Sequence, residues 1–175
     1  MSIILELPES FLADAHAYDK RSDDHLRYMI YNVRSQEEWD RAQAYTKGGH
    51  TDFGSLTLLF SQHVAGLQIR TPEGVIKSTV HRVVTPPRDQ IDIPRLGLLY
   101  FVRPGDTTIM KPVPSPLLDR LGLLTDEDKD PNIPAATGTE YVRARVKDVH
   151  HKKVIDRREG THFEFKGLKV ENYYA

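Results

Sequence analysis

Apolar residues along this chain fall mostly into short runs separated by turn residues, a pattern of strands more than of long helices. Residues 8–20 place Phe11, Ala15 and Tyr18 at i, i+4 and i+7, which predicts a short helix. Leu26 to Val33 (LRYMIYNV) is rich in aromatic and β-branched residues and predicts a strand. Ser35 and Glu38 have the spacing of a capping box, so a helical turn follows, and Lys47-Gly48-Gly49 breaks it. Ser55–Phe60, Gly66–Arg70, Val75–Val84 and Leu96–Val102 predict four more strands, punctuated by Thr71-Pro72-Glu73-Gly74 and Pro86-Pro87. Strands in such a series predict a mainly β sandwich or barrel.

Residues 103–138 carry much Pro, Gly and Asp and predict loop, interrupted by a helical patch at Ser115–Leu121. Thr137 and Glu140 make a second capping box, and Val142, Val146 and Val149 then form an apolar stripe on a helix. His150 to Gly160 reads as charged and solvated, and Val170–Tyr174 as a final strand or tail. There is no internal repeat.

Composition narrows the function classes. The chain has 175 residues, 39% of them hydrophobic, which suits one domain with its own core. With 24 basic and 25 acidic residues the net charge is −1, so no charge excess points to nucleic acid or to an anionic membrane. The absence of cysteine excludes disulfides, thiolate nucleophiles and sulfur-ligated metals. Any metal must sit on histidine, carboxylate or carbonyl groups. No apolar run approaches the ~18 residues of a membrane span, and the start MSIILELPES lacks the features of a signal peptide. The expectation is a cytoplasmic protein.

His50-Thr51-Asp52 puts an imidazole and a carboxylate two residues apart, on one face of extended backbone. His81, in VIKSTVHRVV, would add a third ligand from another strand. Two histidines and one carboxylate leave open positions on an iron(II) ion, as oxygen activation needs. By spacing alone, however, a His-x-Asp pair is more often surface or core polarity than a metal site.

The surrounding words add to that spacing. Gly49-His50-Thr51-Asp52-Phe53-Gly54-Ser55-Leu56-Thr57-Leu58-Leu59 closely resembles the proximal iron motif of the isopenicillin N synthase-like, 2-oxoglutarate/Fe(II)-dependent dioxygenases. Gly66-Leu67-Gln68-Ile69-Arg70 resembles the family's next strand, and Lys77–Val84 its distal-histidine strand. Arg95-Leu96-Gly97 stands where the family has Arg-x-Ser. The resemblance runs from about Leu7 onward and is strongest to fungal members. It implies that His50, Asp52 and His81 bind Fe(II), with 2-oxoglutarate and O2 as cosubstrates. Arg95 would clamp the distal carboxylate of 2-oxoglutarate. Tyr31 matches a tyrosine that often hydrogen-bonds the cosubstrate; a core aromatic is the other reading of that residue. The substrate would be a small organic molecule, hydroxylated or desaturated, with fungal secondary metabolism as the analogy. Met29 and Gly97 depart from the family's asparagine and serine.

The resemblance also implies a double-stranded β-helix, or jelly roll, with flanking N- and C-terminal helices. The chain would be one domain, 1–175, with its core at about 25–104 and a helical extension at about 105–175. Only residues 53–80 separate Asp52 from His81, well short of the family interval, so the core would be shortened by about two strands near Gly74-Val75. Thr71–Gly74 would then turn directly between antiparallel neighbours. Exposed sheet edges would invite self-association. Two further readings stand beside the active enzyme: a catalytically inactive remnant that binds metal or a protein partner, and a small cupin-like metal protein, against which Arg95 argues.

Overall fold

The computed structural model describes residues 1–46, 49–70, 78–151, 162–166 and 168–171. The chain is mainly β with a few helices, and it divides into two compact units.

One unit centres on Asp24–Val102 and holds the strands predicted between Leu26 and Val102. Strand β1 (His25–Tyr31) runs antiparallel to β5 (Arg95–Val102), with Met29 opposite Gly97 and Tyr31 opposite Arg95. On the other side of β5 lies β2 (Leu56–Leu59), with Leu58 opposite Tyr100, giving the sheet order β1-β5-β2. A second ladder pairs β3 (Leu67–Ile69) with β4 (His81–Val83), and Ile69 faces His81. The strand near Arg70 and the strand carrying His81 are thus antiparallel neighbours, as the resemblance implies. The turn expected at Thr71–Gly74, and Lys77, lie outside the described residues.

Helix α2 (Gln36–Thr46) is three turns long, more than the single turn its capping box foretold. The box itself forms: Glu38 N–H donates to Ser35 Oγ at 3.2 Å, and Ser35 N–H to Glu38 Oε2 at 2.8 Å. Among the described residues this unit buries only Trp39 and Val64 as large apolar side chains, a thin core for a sandwich.

The other unit contains Met1–Asp23, Arg103–Val149 and Phe163–Val170. Its first helix, α1, covers only Ser10–Ala15. The expected stripe therefore stops short, and Tyr18 is fully exposed. The loop region carries a two-stranded pair, β6 (Ile109–Met110) with β7 (Ala136–Thr137), and the helix α3 (Pro116–Arg120). Ser115 caps α3 by accepting from Leu118 N–H at 3.2 Å, and its own hydroxyl donates to Leu5 O at 2.6 Å. Helix α4 (Gly138–His151) starts at its expected capping box, with Glu140 N–H on Thr137 Oγ1 and Thr137 N–H on Glu140 Oε2. Its buried face differs from the valine stripe. Tyr141, Val142 and Arg145 are buried, whereas Val146 is 40% exposed. The chain then forms a pair of strands, β8 (His162–Phe165) and β9 (Leu168–Glu171). No helix of the described residues is long and apolar enough to cross a membrane.

Candidate metal centre

The β3–β4 ladder is extended at one point. His50 and His81 form an antiparallel bridge, each N–H donating to the other's carbonyl at 2.9 Å. Gly49 allows this approach, since a Cβ there would stand 2.6 Å from Val80 Cγ1 and 3.3 Å from His81 O. The backbone alone therefore holds the two imidazoles side by side, with ring centroids 4.5 Å apart.

Asp52 completes the group. Its Oδ1 lies 3.7 Å from His50 Nε2 and 3.8 Å from His81 Nε2, and the three donor atoms all fall within 4.8 Å of one another. Imidazole and carboxylate bonds to a first-row metal run about 2.0–2.2 Å, which sets cis donors roughly 3 Å apart. Side-chain rotation of about an ångström would close the set on one ion. Two imidazoles and one carboxylate suit a divalent first-row metal and leave one side of it open.

Two hydrogen bonds prepare these ligands. Thr57 Oγ1 donates to Asp52 Oδ2 at 2.7 Å, so the carboxylate keeps Oδ1 free. His81 Nδ1 sits 3.1 Å from Thr79 O. A carbonyl only accepts, so Nδ1 carries the proton and the Nε2 lone pair faces Asp52 and His50. Asp52 and His81 are mostly sheltered, with side chains 22% exposed, while His50 is half-exposed. Sequence reasoning missed Thr57 and Thr79. The only signal for Thr57 was its place in the motif, five residues after the carboxylate.

Arg95 opens β5 and is buried, 7% exposed. Its guanidinium lies over the Tyr31 ring, 4.3 Å from the centroid, because the β1–β5 register sets the two residues opposite one another. Among the described residues it meets no carboxylate. Gly66 makes the space for it: at φ +156°, a Cβ on Gly66 would stand 2.7 Å from Arg95 Nη1. Gln90, at the end of a 3-10 turn (Arg88–Gln90), accepts from Ala65 N–H at 2.7 Å and holds this corner. Gly97 has a related role. A Cβ there would crowd Tyr31 Cε2 at 3.3 Å, so the serine expected by resemblance would press on the ring that supports Arg95.

The ladder relates Arg95 to the metal ligands. Gly66 accepts at 2.9 Å from the N–H of Val84, the residue after β4 and three from His81. At about 3.3 Å per residue, the two ends of the ladder stand on the order of 10 Å apart.

No family model matches the chain. A curated relative, UPF0676 protein C1494.01 of Schizosaccharomyces pombe, is 26% identical over 170 residues, covering 80% of this chain and 47% of the relative. A full-length Neurospora crassa protein, solved in complex with alpha-KG, aligns with a TM-score of 0.61 at 23% identity, covering 83% of this chain and 54% of the Neurospora protein. That protein has also been solved with alpha-KG and thymine. A putative 2OG-Fe(II) oxygenase family protein of Caulobacter crescentus gives a TM-score of 0.59 at 21% identity, covering 85% of this chain and 52% of that protein. Over these stretches the chain has the fold of these proteins, a jelly roll. The chain spans about half the length of each of these proteins.

Proposed function

We propose that this chain is the oxygenase domain of an isopenicillin N synthase-like, fungal-type 2-oxoglutarate/Fe(II)-dependent dioxygenase. It would hydroxylate or desaturate a small organic substrate, with secondary metabolism as its setting. One observation carries the reading: two histidines and a carboxylate converge at one end of the β3–β4 ladder, and a buried arginine without a carboxylate partner among the described residues sits at the other. That spacing suits a short dicarboxylate held by a metal at one end and a guanidinium at the other. The alpha-KG bound in the Neurospora protein is such a molecule.

Iron(II) bound with 2-oxoglutarate and O2 would supply the oxidising power, while 2-oxoglutarate loses CO2 to become succinate. The protein's part is binding and orientation. His50, Asp52 and His81 would hold the ion by Nε2, Oδ1 and Nε2. Thr57 keeps Asp52 turned to one-oxygen ligation, and Thr79 fixes the His81 tautomer. Arg95 would receive the distal carboxylate with its planar fork, braced by the Tyr31 ring. Tyr31 thus serves as the platform of the clamp. The substrate would occupy the open side of the ion; the thymine held by the Neurospora protein is an example of size and class.

We take residues 1–175 as one such domain, shortened by about two strands. Two observations support the shortening. Among the described residues β2 and β3 are each the outer strand of their sheet. The alignment with the fission-yeast relative also runs over more positions than 80% of this chain can fill, so the relative carries residues that this chain lacks. The cytoplasm is our reading of its location. The open edges and thin core favour a second reading, a remnant that binds metal without turnover.

Equilibrium dialysis tests the assignment. His81→Ala should lose Fe(II). Arg95→Ala should keep Fe(II) and lose 2-oxoglutarate. If both variants bind like the parent, the assignment is wrong. Succinate formation by the parent then separates the enzyme from the remnant.

A further inference from the structure

The two faces of the β1-β5-β2 sheet are unlike in polarity: His25, Arg27, Thr57 and Arg95 lie on one, and the strand positions of the other are apolar or tyrosine. Along the start of β5, Arg95 and Gly97 are buried while Leu96 between them is half-exposed, so the inner and outer faces are unambiguous. The outer face carries Leu26, Tyr28 and Ile30 from β1, Leu96 from β5, and Leu56 and Leu58 from β2. Each of these six is between 45% and 64% exposed. The remaining outward positions of β5 are Leu98, Tyr100 and Val102, so none of the strand positions on this face is charged; the one carboxylate at its edge, Asp24, accepts from the Tyr100 hydroxyl at 3.0 Å. An antiparallel sheet that keeps one face in water alternates apolar with polar residues; this one is apolar on its outer face throughout.

Six large side chains about half-exposed present on the order of 600 Å² of contiguous apolar surface, the upper end of what a monomer ordinarily shows. A stable protein–protein interface takes roughly 800 Å² from each partner. One such face is therefore about three-quarters of one side of a standard interface, and two copies together bury about 1,200 Å², the lower end of the stable range. Its strand positions are all apolar or tyrosine and the carboxylate at its edge is already held by Tyr100, so the face can meet its own copy, as a twofold contact requires. Its three strands give the flat layer that packs on another sheet at about 10 Å.

We propose that this outer sheet face docks a second copy of the chain, forming a twofold sheet-on-sheet dimer. The contact uses the face of the sheet, so it is distinct from pairing between strand edges. It does not depend on the oxygenase reading, since none of the six residues is among the candidate ligands.

Sedimentation of the full chain, from low to high micromolar, tests the proposal. The expected result is a closed dimer, at twice the 20.0 kDa of the monomer. Leu58→Glu should give a monomer with unchanged far-UV circular dichroism. A parent that stays monomeric at every concentration overturns the proposal, as does open-ended aggregation, or a folded Leu58→Glu that still dimerises. If Leu58→Glu fails to fold, thiol reactivity decides. The chain has no cysteine, so Tyr28→Cys carries a single thiol on the proposed interface and Arg27→Cys a single thiol on the opposite face. Labelling of Tyr28→Cys should slow severalfold as concentration rises, while Arg27→Cys reacts at one rate throughout. Concentration-independent labelling at both positions overturns the dimer.

Discussion

Replacing Arg95 by methionine should move ligand affinity and stability in different directions. Methionine fills much of the same volume without the charge. In the parent, Arg95 is buried and its guanidinium rests on the Tyr31 ring, with no carboxylate beside it among the described residues. Burying a cation without a counter-ion costs several kcal/mol, whereas a cation–π contact returns only about 0.5–2 kcal/mol. Arg95→Met should therefore leave the ligand-free protein as stable as the parent or more so. At about 2–4 °C per kcal/mol for a chain of this size, Tm should hold or rise by a few degrees. The cost falls on 2-oxoglutarate. A bidentate clamp makes two hydrogen bonds to a charged group, each contributing about 1.5–3 kcal/mol. Their loss amounts to about 3–6 kcal/mol, or roughly 10²- to 10⁴-fold in Kd. The assay is a thermal melt of parent and variant, with and without 2-oxoglutarate, in the presence of an inert divalent metal. At a hundred times its Kd, 2-oxoglutarate should stabilise the parent by about 2.7 kcal/mol and the variant hardly at all. A variant that melts well below the parent while still responding to 2-oxoglutarate would refute this reasoning. Arg95 would then be a structural residue with satisfied contacts.

Three other substitutions separate the parts of the account. Thr57→Val removes the hydroxyl that holds Asp52 Oδ2, so Fe(II) should bind about 10- to 100-fold more weakly, while Thr57→Ser restores it; equal metal affinity in the valine variant would leave Thr57 without a role in the site. Gly49→Ala places a Cβ 2.6 Å from Val80 Cγ1 and should part His50 from His81, at about 1–3 kcal/mol, with metal binding impaired more than overall secondary structure. Metal titration beside circular dichroism checks it, and unchanged metal affinity would show that the bridge tolerates the methyl group. Ser115→Ala removes both the cap of α3 and the donor to Leu5 O, so chemical denaturation should show a loss of about 1–3 kcal/mol with metal binding unchanged; a neutral effect would mean that water replaces both bonds.

The sequence carried some of these features and not others, for physical reasons. His50, Asp52 and His81 were legible from the words around them, through the family resemblance and not from their spacing, and the His50–His81 backbone bridge brings them together. The capping boxes of α2 and α4 were legible because their bonds join residues three apart. Thr57 was not, since its bond to Asp52 depends on how the chain bends between Asp52 and β2. The space that Gly66 leaves for Arg95 was also hidden, because it arises between two strands far apart in sequence. In α4 the valine stripe misled. Burial there follows Tyr141, Val142 and Arg145, and a long side chain such as arginine can be buried along its stem without any apolar signal. Strand β8 passed unread, although His162-Phe163-Glu164-Phe165 alternates polar with aromatic residues before Gly167.

The central claim is that His50, Asp52 and His81 hold one iron that takes 2-oxoglutarate as a chelate. Anaerobic titration of the protein with Fe(II) and then 2-oxoglutarate, followed by visible absorption, tests it most directly. The account predicts a weak charge-transfer band that saturates at one iron and one 2-oxoglutarate per chain and that disappears in His81→Ala. A folded protein that gives no band, or a band that survives the loss of His81, would contradict it.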